Sequence, residues 1–282
     1  MPLVSPKEMI LRAQAGSYAI PAFNVENMEM AQAVIRAAEE MRSPVIMQTT
    51  PSTLRHGDPT LYRAIVKTLA MSATIPAAMH LDHGDCYALA VRAMRAGYTS
   101  LMIDGSRLPL QENIALTKKV TEMADAAGLP TEGELGKVGG KEDDMESAGP
   151  GYTDPDEAGA FVKETGVFSL AIGIGTSHGI YKGAPKLDME RVSVIAGKLS
   201  NPLVLHGASG VPDEDVRECV RRGMCKVNYA TELRIAFTEG VKKALSDDPE
   251  AFDPKIYLKA GRQKVYEAVK LRIAVCGSDG RA

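Results

Sequence analysis

Asp82, His83 and Gly84 bring an apolar run, PAAMHLDHGD at 76–85, to an abrupt polar end. Adjacent side chains on a strand face opposite ways, but where a strand runs into a loop both can turn into one cavity. A carboxylate beside an imidazole in such a place suits proton transfer or metal binding, because a buried carboxylate without a partner is costly. The same residues could be structural, with Asp82 capping the helix that starts near Asp85 and His83 satisfied by hydrogen bonds. Two further histidines share the setting: His178 in TSHGIYKGAP and His206 in LHGASG, each where an apolar run gives way to glycine. Of the other two, His56 falls in a loop, and His80 falls inside the apolar run, where a packed core histidine is expected.

The elements around these residues decide between the readings. Apolar, β-rich runs at 18–25, 44–50, 76–84, 99–104, 130–136, 168–175, 202–207 and 225–229 read as strands. Between them, three- and four-residue apolar spacing predicts helices over 27–42, 58–72, 86–96, 110–127, 156–165, 188–199, 213–222 and 231–245. A short helix at 5–15 precedes the first strand, and one or two helices over 254–276 close the chain. Eight strands alternating with eight helices predict one (β/α)8 TIM barrel with extra C-terminal helices, a single domain over 1–282. A doubly wound open sheet is the alternative, but no dinucleotide fingerprint follows the first strand. The segment 137–153, KVGGKEDDMESAGPGYT, is longer than most connections and is expected to be functional or disordered.

In such barrels chemistry collects at the C-terminal strand ends. Those ends read Asn24; Gln48 and Thr50; Asp82 and His83; Asp104 and Ser106; Glu132 and Glu134; His178; His206; and Asn228. Three of the five histidines stand there, and three imidazoles converging from separate strands match a catalytic zinc site with an open fourth position. Cys86 is a conceivable soft ligand, discounted because it should lie on a helix. The glycines and hydroxyls of TSHGIYKGAP and HGASG, with Lys182 and Ser209, suit a phosphate cradle of backbone N–H groups, although plain turn chemistry would use the same residues. A Lewis-acid metal, a carboxylate beside one of its ligands and a phosphate grip point to carbonyl–enediolate chemistry, an aldolase or isomerase. A zinc hydrolase would use the same ligands but gains less from the phosphate loop.

Composition narrows the partners. Lys plus Arg number 33 against 36 Asp plus Glu, a net charge of −3, with no basic run or aromatic-interleaved basic patch; nucleic acid is not the expected partner. The first residues lack the charged start and unbroken apolar core expected of a signal peptide, and no apolar run is long enough to span a bilayer, so no membrane partner is expected. The four cysteines, Cys86, Cys219, Cys225 and Cys276, are irregularly spaced and read as reduced thiols. A cytoplasmic protein is expected.

LDHGD, ELGKVGGKEDD at 134–144, IGTSHGIYK, LHGASG and KVNYATEL, in this order, resemble the class II, zinc-dependent ketose-bisphosphate aldolases. The likeness runs over nearly the whole chain and looks closest to the branch with tagatose-1,6-bisphosphate aldolase and the shorter fructose-1,6-bisphosphate aldolases. It implies that His83, His178 and His206 hold the catalytic zinc, and that Asp104 and Glu134 can hold a displaced or second metal. Asp82 would exchange a proton with the C4 hydroxyl of the ketose. Glu142, in the loop after strand five, would handle the proton on dihydroxyacetone phosphate. Gly179, Gly207, Ala208, Ser209 and the segment Asn228, Tyr229, Ala230, Thr231 match the phosphate grip, with Lys182 and Asn24 nearby and a monovalent cation (Na+ or K+) as an accessory. Arg262 could reach the distal phosphate, or could be a solvated helical arginine. Ala230 stands where the longer fructose enzymes carry an acid, which resembles the tagatose branch; related aldolases of deoxysugar and inositol breakdown share the motifs. A homodimer or homotetramer is implied by the same resemblance. Lys226 is the one lysine placed for a Schiff-base route, which three histidines would make unnecessary.

Overall fold

In the computed structural model the described residues are 3–142, 145–147, 151–181 and 183–282, with the backbone alone described at 141–142 and 145–147. Helix α1 (Lys7–Gly16) precedes β1 (Ile20–Asn24), and α2 (Met28–Met41), β2 (Val45–Thr49), α3 (Pro51–His56), α4 (Pro59–Ser72), β3 (Ala77–Gly84), α5 (Tyr87–Ala96) and β4 (Ser100–Ile103) follow. The chain continues through α6 (Leu110–Ala126), β5 (Thr131–Leu135), β6 (Gly139–Glu142), β7 (Met145–Ser147), α7 (Pro155–Thr165), β8 (Ser169–Ile172) and β9 (Ser177–His178). It ends with α8 (Met189–Lys198), β10 (Leu203–Leu205), α9 (Asp213–Arg221), β11 (Met224–Tyr229), α10 (Thr231–Asp247) and α11 (Pro254–Cys276). Strands β1, β11, β10, β8, β5, β4, β3 and β2 close into a parallel barrel in that order, the expected TIM barrel. The C-terminal helical region is the one helix α11, packed against both α10 and α2.

Each barrel strand is buried along its whole length, as parallel strands covered by helices must be. Alternation then sorts the side chains. Met79 and Leu81 point out to the helical layer, whereas Ala78 packs inside with Ile20, Ala22, Ile46 and Cys225. Met9, Ile10 and Ala13 of α1 join this inner cluster, so α1 stoppers the N-terminal end of the barrel. That leaves the C-terminal end as the open one.

Two features differ from the sequence reading. Residues 51–56, expected as loop, form α3, started by Pro51 at a position where its missing N–H costs nothing. The connection after β5 is not irregular throughout: β6 pairs antiparallel with β7 and parallel with β9, with Gly140 opposite His178. Short, glycine-rich and charged strands carry no alternation for a sequence reading to find. All four cysteines are unpaired, and no helix among the described residues is long and apolar enough to cross a membrane.

Candidate active site

The end of β3 is distorted in a way that turns neighbouring side chains together. His83 has φ 46°, a left-handed conformation uncommon outside glycine, and the pairing with β4 shifts register between Leu81 and Gly84. Asp82 and His83 are both buried as a result. Asn24 Nδ2 on β1 donates to Asp82 Oδ2 at 2.9 Å, and Asn228 Nδ2 on β11 donates to Asp82 Oδ1 at 3.0 Å. Gln48 Nε2 donates in turn to Asn24 Oδ1 at 2.9 Å, so three barrel strands fix the carboxylate plane. Asn228 Oδ1 is buried with no hydrogen-bond partner, an acceptor left facing this site.

His83, His178 and His206 converge from β3, β9 and the end of β10; one ring nitrogen from each lies within 4.8 Å of the others. His83 Nδ1 is 3.0 Å from Asp104 Oδ2, and His206 Nε2 is 2.8 Å from Glu132 Oε1. Carboxylates accept, so those nitrogens carry the hydrogens. The remaining pair, His83 Nε2 and His206 Nδ1, stand 2.8 Å apart with lone pairs facing each other. With both rings neutral that contact is repulsive, and a shared proton or a bound cation relieves it. Burial lowers the pKa of His206 against the opposing pull of Glu132, a shift toward the neutral form that a metal ligand needs. The donor set therefore fits a zinc ion.

Carboxylates flank the imidazoles. His83, Asp104 and Glu134 form a second group with ligand-like spacing. Burial raises the Asp104 carboxyl, but the hydrogen bond and charge of His83, with Ser106, outweigh it and hold it below the ordinary carboxylate range. Glu132 is likewise raised by burial and brought down further by the Lys226 ammonium 2.9 Å away and by His206. The sequence reading gave Glu132 a place at a strand end but no partner; only the closed barrel brings it to His206 and Lys226. His80 is the core histidine expected, with Nδ1 2.7 Å from Ser100 Oγ.

A cleft open to solvent lies over this floor. Of the anticipated substrate-contacting residues, Asn24, Gly179, Gly207, Ser209, Asn228, Ala230 and Thr231 line it. Gly207 holds φ 67°, and a β-carbon there would crowd the Ser177 carbonyl; Tyr181 Oη staples the two loops by donating to Gly207 O and accepting from Ser177 N. Ser209 Oγ accepts from the N–H groups of Ala230 and Glu232 at 3.3 and 3.4 Å, at the start of α10, where Ala230 has no side chain to cap the helix. Arg234, one turn along α10, also lines the cavity and pairs with Glu26 at 2.6 Å; its position three residues past Thr231 was the one signal for it.

Other anticipated residues are not brought here. Strand alternation sends Tyr229 outward, where its ring stacks on Phe23 at 5.9 Å and its hydroxyl reaches Cys276. The Ala208 side chain is buried in the outer core. Arg262 lies on the face between α2 and α11 with Nη1 on Gln32 Oε1 at 2.6 Å. Lys182 and the side chain of Glu142 lie outside the described residues.

A closed parallel barrel with three imidazoles and a fixed carboxylate at its open end defines a metal-dependent barrel enzyme. The family model described as class II fructose-bisphosphate aldolase matches residues 4–281, and the chain belongs to that family, which is zinc-dependent. It is thus a lyase. The D-tagatose-1,6-bisphosphate aldolase subunit GatY of Klebsiella oxytoca is 42% identical over 281 residues, 99% of each chain. The crystal structure of the YdjI aldolase from Escherichia coli K12 is similar at 35% identity and TM-score 0.88, covering 99% of both chains. The fructose-bisphosphate aldolase of Campylobacter jejuni shares the fold, at 23% identity and TM-score 0.83, over 100% of this chain and 97% of the other.

Proposed function

We propose that the protein reversibly cleaves a ketose 1,6-bisphosphate, of the tagatose or fructose series, to dihydroxyacetone phosphate and glyceraldehyde 3-phosphate, with 1–282 as one catalytic domain. The observation that carries this reading is Asp82, fixed by Asn24 and Asn228 beside three converging imidazoles. His83, His178 and His206 would hold the zinc ion, with Asp104 and Glu134 as an alternative seat. Bound there, zinc would polarise the ketose carbonyl and stabilise the charge that grows on its oxygen.

The rest falls to the chain. Asp82 takes the proton of the C4 hydroxyl as the C3–C4 bond breaks and C4 becomes the aldehyde carbon. The electron pair stays with C3, and Glu142 returns a proton to that carbon. Backbone N–H groups at Gly179, Gly207 and Ser209, with the positive end of α10 at Thr231, grip the near phosphate, with Lys182 and a monovalent cation, Na+ or K+, beside it. Asn228 Oδ1 offers its vacant acceptor to a substrate hydroxyl. Arg234 supplies positive charge for the far phosphate. Arg262 bonds Gln32 within its own chain and would reach a substrate only across an interface between copies, in keeping with a homodimer or homotetramer. A cytoplasmic location accords with the unpaired cysteines. Lys226 is bound to Glu132 in the barrel interior, which speaks against a Schiff-base route.

Ala230 at the cavity wall stands where the longer fructose enzymes carry an acid, which together with the name of the Klebsiella relative favours tagatose 1,6-bisphosphate. The test is a coupled assay of triose phosphate release from tagatose and fructose 1,6-bisphosphates. Cleavage lost to a chelator and restored by zinc supports the mechanism, and the ratio of kcat/KM names the substrate. Absence of cleavage of both in zinc-loaded protein would sink the bisphosphate assignment in favour of deoxysugar or inositol-breakdown phosphates.

A further inference from the structure

We propose that Glu132, pinned by Lys226, is the positioning residue for His206: it accepts a hydrogen bond from Nε2–H and so turns the Nδ1 lone pair into the site. This rests on the reading of His206 as a zinc ligand. Glu132 is on β5 and Lys226 on β11, strands that are not neighbours in the barrel, so their contact crosses the interior. Glu132 Oε1 lies 2.8 Å from His206 Nε2, and Oε2 lies 2.9 Å from Lys226 Nζ; all three side chains are essentially inaccessible to solvent.

The logic is that of tautomers. A neutral imidazole carries one hydrogen, and the partner at one nitrogen decides what the other presents. A carboxylate accepts only, so Nε2 must carry the hydrogen and Nδ1 the lone pair. Lys226, a donor only, occupies the second oxygen and fixes which one meets His206. His80 Nε2 stands farther off, 3.8 Å from Oε2. The amide nitrogen of Asn228 lies 3.4 Å from His206 Nδ1 and 3.2 Å from Nε2, both longer than the 2.8 Å contact of Glu132, and it donates to Asp82 at 3.0 Å. His83 is served the opposite way: Asp104 takes its Nδ1 hydrogen and Nε2 faces the site. Two imidazoles facing each other through different nitrogens need one carboxylate at the rim and one from below. Glu132 is the one from below.

The test compares two double variants of the full chain, Glu132→Gln/Lys226→Met and Glu132→Leu/Lys226→Met, with His206→Ala alongside. Neither double variant strands a buried charge, but Gln keeps an acceptor for Nε2–H and Leu does not. Zinc affinity is read by competition with a chromophoric chelator. The Gln variant should stay within a few fold of the parent, and the Leu variant should bind about 10- to 100-fold more weakly. Equal affinities for the two, while His206→Ala has lost binding, would overturn the inference alone. Unchanged affinity in His206→Ala would overturn the ligand reading beneath it. A measurement needing no variant is the nitrogen-15 spectrum of metal-free parent protein, which should show His206 protonated at Nε2; protonation at Nδ1 overturns the proposal.

Discussion

The carbonyl of His178 lies against Gly140 so closely that a β-carbon on Gly140 would overlap it. Gly140 also holds φ 82°, a conformation costly to other residues, and pairs with His178 in the small sheet beside the barrel. Gly140→Ala should therefore push the His178 backbone outward. We expect zinc affinity to fall at least about tenfold, with a loss of folding stability on the order of 1–2 kcal/mol from strain at positive φ. Chelator competition and thermal unfolding check the two parts separately.

Chelation should abolish cleavage and lower the melting temperature together, because a ligand bound only by the folded state stabilises it. At a free zinc concentration a thousand times the dissociation constant the stabilisation is about 4 kcal/mol. Scanning calorimetry with and without zinc measures it. Activity that survives chelation would contradict the placement of the three imidazoles in the mechanism.

Asp82→Asn keeps the size of the side chain and removes the proton acceptor. A fall in kcat of roughly 10²- to 10⁴-fold is expected, the usual contribution of a positioned base. Zinc content should stay at the parental level, since Asp82 bonds to Asn24 and Asn228 and not to the imidazoles' facing nitrogens. Zinc analysis beside single-turnover kinetics separates the effects.

Glu232, in the first turn of α10, has its carboxyl pushed up to about 7 by burial, against the opposing charge of Arg272. A raised folded-state pKa means that the native protein holds this proton more tightly than the unfolded chain does. The stabilisation is complete below the ordinary glutamate range and is lost as pH rises from about 4.5 to about 7. Glu232→Gln should flatten the stability–pH curve across that window, by up to about 3 kcal/mol. Urea midpoints of both proteins at pH 5 and pH 8 test this, and parallel curves would contradict it.

The barrel was legible because its strands are continuous apolar runs and its helices carry regular spacing. Asp82, His83, His178 and His206 were legible because each is polar where such a run stops. Glu132 and Lys226 sit on different strands, 94 residues apart in sequence, and no local pattern marks one as the partner of the other. Tyr229 was misplaced for a related reason: beside Asn228 it looks like part of a motif, but the period of two along a strand sends it to the opposite face. The β6–β9 pairing escaped because two-residue contacts between glycine-rich segments leave no periodic trace.

That small sheet also ties two events together thermodynamically. The strand whose backbone includes Glu142 and the strand that includes His178 share one hydrogen-bonded edge. If substrate favours one setting of that edge, its binding energy acts on the zinc ligand, and linkage demands equal traffic in reverse. Substrate should then slow the escape of zinc by the same route through which zinc tightens the hold on substrate. A metal-loss assay run with and without dihydroxyacetone phosphate would put a single coupling constant on both.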